Sequence, residues 1–180
     1  MKIFDEKFKA NKVKYVLQCA LATVVVSVIL IVLSSVADTV IVAALGASAF
    51  IAFAMPQKEV SSPRFLIGGY LIGTTVGCGC HFLSEHYLLA QMSLDNPGYY
   101  LLTHISFINE YSRQIFGSIS VGTAIFLMTI TDTEHPPAAG LALGFVLNGW
   151  SYITIEVVLA GIVLISLIKF MLRRLLINLV

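Results

Sequence analysis

Charge is scarce in this sequence. Asp, Glu, Lys and Arg make up 12% of 180 residues, about half the share of a soluble domain. So little charge cannot clothe a water-soluble fold. With 58% hydrophobic residues and a mean hydropathy of +0.91, the chain reads as an integral membrane protein whose solvent is the lipid bilayer. A formal net charge of +1 gives no basic surface for nucleic acid, and no nucleic-acid partner is expected. Cysteine is also rare. Cys19, Cys78 and Cys80 are an odd set in apolar surroundings, which argues against a disulfide framework. The Cys78-x-Cys80 spacing turns the two thiols to different faces of a helix, so both read as small buried hydrophobes, and neither metal nor cofactor is expected. The length leaves no room for a separate soluble domain, so residues 1–180 read as one unit. The first apolar run is longer than a signal-peptide core and lacks a small-residue cleavage site, so it is kept as a mature span.

What is present is a series of apolar runs at 15–37, 39–57, 65–84, 114–131, 136–149 and 152–171, free of charge except for Glu156 and Lys169 in the last. A spanning helix needs about 20 apolar residues. The first, third, fourth and sixth runs meet or approach that length, and the second and fifth are short. With the N-terminus inside and six crossings, the inner segments hold ten of the eleven Lys and Arg residues, and only Arg113 lies outside. Fewer crossings fit the positive-inside rule less well. The sequence therefore predicts an all-α, six-span multi-pass protein of a bacterial inner membrane with both termini cytoplasmic. Residues 85–112, with Pro97, Tyr99, Tyr100, His104 and Tyr111, form an external connector at headgroup level.

Each half runs long, short, long: about 14–84, then about 113–172. Three spans per half make the second half an inverted copy of the first. Short segments interrupted by Gly and Pro at matching places are the sequence pointer to a transporter's central site. The first short segment carries Gly46, Ala47 and Ser48. The second opens with Glu134, His135, Pro136, Pro137, Ala138 and Ala139. Proline suits the first helical turn, where its missing N–H would be unpaired, so His135-Pro136-Pro137 reads as a helix start with Asp132 or Thr133 near the cap. The N–H groups of Ala138, Ala139 and Gly140 would then have no helical partner or only a marginal one, and the macrodipole would favour an anion there. Gly46, Ala47 and Ser48 would do the same from the other half, unless they are only a small-residue packing face. A Glu-His pair beside hydrocarbon is costly unless it has a use.

Three ordered blocks carry a resemblance: 47–56 with Pro56 at its end, 62–73 with Pro63, Arg64, Gly68, Gly69 and Tyr70, and Glu134-His135-Pro136-Pro137-Ala138-Ala139. Over about residues 14 to 170 the chain resembles the HPP family of integral membrane proteins, whose plastid and cyanobacterial members are linked to nitrite transport. The resemblance implies a permease-like role with nitrite as leading substrate. It places the family's motif on His135, Pro136, Pro137 and Ala138, its Pro-Arg block on Pro63 and Arg64, and its Gly-Ala-Ser block on Gly46, Ala47 and Ser48. Two positions depart from the family pattern. Glu134 stands where Thr is common, and Tyr70 stands where His is common.

The expected function is a transporter or channel for a small inorganic anion, not an enzyme. The anion would bind at the two short-helix N-termini near the midplane. Arg64 would attract it, and Glu134 and His135 would couple it to a proton, since histidine titrates near neutrality. Small-residue faces suggest a homo-oligomer. Two rival readings remain. One is a membrane structural or assembly subunit without transport. The other is a metal-dependent intramembrane enzyme built on His81, Glu85, His86 and His104.

Overall fold

A computed structural model describes residues 11–33, 39–93 and 111–179. Among them are six α-helices: α1 Lys12–Leu33, α2 Thr39–Ala54, α3 Pro63–Ser93, α4 Ser112–Thr131, α5 Pro136–Asn148 and α6 Tyr152–Leu172. A single 3-10 turn, Glu59–Ser61, joins α2 to α3. Four helices, α1, α3, α4 and α6, are long and apolar enough to cross a membrane. At 1.5 Å per residue, α2 is about 24 Å long and α5 about 20 Å, both short of a hydrocarbon core of about 30 Å.

The two short helices form the middle of the bundle. α5 packs on α2, α3 and α4, while α2 packs on α1, α5 and α6; α3 also packs on α4 and α6, and α1 on α6. The short pair runs antiparallel. Ser48, late in α2, meets His135 at the start of α5, whereas a Cβ on Gly144, late in α5, would touch Val40 and Ile41 at the start of α2. Phe53, Leu45, Leu66, Tyr70, Leu141, Phe145, Ile162 and Ile165 fill the core between them.

α3 comes closest to α5 along a row of glycines. A Cβ on Gly68 would stand 2.8 Å from the Thr133 methyl, one on Gly77 2.8 Å from the Ala142 carbonyl oxygen, and one on Gly73 would run into the Ala138 carbonyl. Helices in lipid gain from such backbone approach because apolar side chains have no preference for protein over lipid tails.

The charged end of the bundle is tied by its own chain. The Gln18 amide donates to the carbonyls of Phe53 and Ile177 (the latter at 2.8 Å), and its oxygen accepts from the Ile177 N–H. The Leu179 N–H donates to the Ala54 carbonyl at 2.8 Å. The segment after α6 therefore straps α1 to the end of α2.

One sequence boundary moves. α3 does not stop at Ser84 but continues to Ser93, so the predicted connector starts inside a helix. Its remainder, residues 94–110, lies outside the described residues.

Candidate functional site

The α4–α5 junction is built by its sequence. α4 ends when Asp132 turns left-handed at φ 54°. The Thr133 N–H then reaches back to the Met128 carbonyl at 3.0 Å, a Schellman-type closure. Pro136 forces the residue before it to be extended, and His135 has φ −136° and ψ 93°. The first two helical positions of α5 are the two prolines. His135 itself is the N-cap, and its side chain caps nothing; the expected cap from Asp132 or Thr133 is not formed.

This geometry turns the His135 ring into the core, 1% exposed, where it meets a polar cluster. Ser48 Oγ lies 2.8 Å from His135 Nε2, 2.8 Å from the Tyr70 hydroxyl and 3.0 Å from the Ala44 carbonyl oxygen. Ser48 and Tyr70 are both fully buried. The rings of Tyr70 and His135 stand 5.6 Å apart. α2, α3 and the start of α5 thus each contribute one polar group to a single point inside an apolar bundle. Among the described residues, His135 Nδ1 finds no partner although buried, and neither do the hydroxyls of Thr74 and Ser84. On the α4 side of the junction is a cavity of about 330 Å³, lined by Ile125, Met128, Thr129, Glu134, His135, Pro136 and Ala139.

The remaining predicted site residues are distributed differently from the expectation. Gly46, Ala47 and Ser48 are not at a helix N-terminus: they lie in the middle of α2, where backbone N–H groups are already spent on the helix. Ala47 is exposed, Gly46 is half-buried, and only Ser48 faces the core. At α5 the donors expected at Ala138, Ala139 and Gly140 are also used. Pro136 and Pro137 have none, and the Ala138 N–H donates to the His135 carbonyl at 2.8 Å. From Ala139 onward the helical pattern supplies carbonyls. Ala138 and Ala139 are buried packing residues, Pro136 is exposed and Pro137 half-buried. Neither Gly46–Ser48 nor Ala138–Gly140 therefore offers the bare N–H nest that the sequence suggested.

Arg64 is also elsewhere. Its guanidinium holds Asp132 at 2.9 Å and the Thr131 carbonyl at 3.0 Å, with a side chain 60% exposed. It clamps the start of α3 to the end of α4. Glu134 is half-buried in the cavity wall and makes no hydrogen bond or ion pair with a described residue. The residues considered for a metal are dispersed: Glu85 is paired with Arg113 at 3.0 Å, His81 Nδ1 lies 3.3 Å from the Val146 carbonyl, and His86 stacks edge-on against Phe82. His104 is outside the described residues. No group of three metal-ligating side chains occurs among the described residues.

Two residues escaped sequence reasoning. Tyr70 stood out only as a departure from the family pattern, and nothing local links it to Ser48, 22 positions earlier. Lys169, in the last turn of α6, is 8% exposed and makes no ion pair with a described residue.

A family model described as the HPP transmembrane region matches residues 8–178. No curated protein matches, and no solved structure does.

Proposed function

This chain belongs to the HPP transmembrane family, and on that premise we propose that it is a transporter for a small inorganic anion, with nitrite as the leading substrate, working through the Ser48–Tyr70–His135 cluster. One observation carries the reading. Three polar side chains from three helices converge at a buried point where the two short helices meet, and polar groups at such depth in a membrane protein are costly unless used. Nitrite comes from the family resemblance.

The packing supports an inverted repeat. Exchanging α1, α2 and α3 for α4, α5 and α6 maps the principal packed pairs onto themselves: α3–α5 onto α6–α2, α3–α4 onto α6–α1, and α4–α5 onto α1–α2. The exchange also maps the antiparallel short pair onto itself, and repeat-built transporters hold their substrate at the interface between repeats. In this reading both termini, the α3 start with Arg64 and the strap after α6 face the cytoplasm of a bacterial cell, in keeping with the positive-inside rule. A homo-oligomer remains part of the proposal.

The test is anion entry into proteoliposomes, with nitrite compared to nitrate, formate and chloride. Protein-dependent entry that favours nitrite is expected. Equal entry of chloride and nitrite, or none of any anion from folded protein, would remove the assignment.

A further inference from the structure

We propose that the Ser48–Tyr70–His135 site takes its anion only together with one proton, so that each nitrite crosses as an electroneutral pair. This rests on the transport reading above and adds the form in which the substrate is bound.

The count of hydrogens leads there. Ser48 has one hydroxyl hydrogen and three neighbours: the Ala44 carbonyl, the Tyr70 hydroxyl and His135 Nε2. The carbonyl can only accept, so Ser48 donates to it. The two lone pairs of Ser48 Oγ then accept from the Tyr70 O–H and from an N–H on His135 Nε2. Every contact is a bond in this arrangement, and any other leaves at least one unmade. In the neutral ring the hydrogen is therefore on Nε2, and Nδ1 is a bare acceptor. It is also the ring atom left buried without a partner among the described residues.

A deprotonated anion carries only acceptors and has nothing to offer Nδ1. The conjugate acid, with its O–H, can donate to it. Alternatively a proton resides on Nδ1 and donates to the anion. Both arrangements contain the anion and one proton.

The charges point the same way. The groups around His135 are Ser48 from α2, Tyr70 from α3, Thr133 and Glu134 from the junction, and Met128 from α4 in the shared cavity wall. None is cationic. Of the eleven Lys and Arg residues, Lys2, Lys7 and Lys9 lie outside the described residues. Arg64 and Arg113 are held by Asp132 and Glu85, and Arg173 lies over the Phe170 ring at 4.6 Å. Lys12, Lys14, Lys58 and Arg174 are exposed. Lys169 makes no hydrogen bond or ion pair with the cluster. With the Ala138 N–H spent as well, an anion entering without a proton would meet no cation among these groups, which is costlier than a neutral pair.

The experiment uses proteoliposomes with a trapped pH dye and a membrane potential clamped by potassium and valinomycin, with entry into empty liposomes subtracted. Nitrite entry is expected to acidify the lumen by one proton per nitrite and to ignore the clamped potential. Entry that follows the potential and leaves lumen pH constant would overturn the inference while keeping the transport reading. No protein-dependent nitrite entry would overturn both. His135→Gln offers a second arm, because the amide can still donate to Ser48 but has no basic nitrogen. The variant is expected to keep its melting temperature and lose about tenfold or more of the entry rate, the scale of one lost buried hydrogen bond. Full proton-coupled entry in that variant would also overturn the inference.

Discussion

Ser48 is the hub of the buried cluster because one hydroxyl can donate once and accept twice, and here it does all three. Removing it leaves the Tyr70 O–H and the His135 Nε2–H without partners inside the protein. Each orphaned group costs roughly 1–3 kcal/mol. Ser48→Ala should therefore destabilise more than Tyr70→Phe, which removes a donor and its need together and leaves the Ser48 hydrogen on Ala44. Thermal unfolding in detergent of the two variants checks the order, and the reverse order would contradict the hydrogen count. Glu134 is a contrasting case. It is half-buried and unpaired in the cavity wall, so Glu134→Gln should leave stability within about 0.5 kcal/mol. If Glu134 passes the proton to His135, the nitrite rate should still fall, most at alkaline pH where free protons are few. A pH series of initial rates decides this.

Among the helices, α5 was the most legible in the sequence. The proline pair marks its start and Gly149, at φ 79°, its end, so the boundaries 136–149 needed no tertiary information. The end of α3 was not legible. His81, Glu85 and His86 look like the exit from a span, but a helix satisfies its backbone internally and need not stop when its side chains become polar. The role of the α5 N-terminus was also misread, because one i→i−3 bond from Ala138 to His135 uses the donor that an anion would need, and no composition rule reports such a bond. The Gly68, Gly69, Gly73 and Gly77 row was visible as glycine, but its partner was not. Gly73→Ala should push a Cβ into the Ala138 carbonyl and sharply reduce folded yield. Gly122→Ala, with nothing within 4 Å of the added carbon, should be neutral or stabilise by up to ~1 kcal/mol. Size-exclusion profiles and melting temperatures of the two variants separate a close-packed seam from generic loss of glycine.

At the scale of the whole molecule, the fold closes on itself through polar ties at one end and apolar packing through the middle. Gln18 alone bridges α1, the end of α2 and the segment after α6. Gln18→Leu should loosen that segment without disturbing the Ser48 cluster, so amide exchange should rise at residues 177–179 while nitrite entry persists. The membrane class and the six helices among the described residues followed from the apolar runs, since hydropathy is a local property. The meeting of Ser48, Tyr70 and His135 did not, since it joins positions 22 and 87 apart in the chain that only the packing of α2 and α3 against α5 brings together.

The most direct test of the central claim is the initial rate of nitrite entry into proteoliposomes carrying equal amounts of folded wild type, Ser48→Ala, Tyr70→Phe and Arg64→Gln. With the buried cluster as the substrate site, the Ser48 and Tyr70 variants lose most of the rate, while Arg64→Gln, which changes only a surface clamp, keeps it. A rate that survives Ser48→Ala and collapses with Arg64→Gln would place the pathway at the surface and contradict the account.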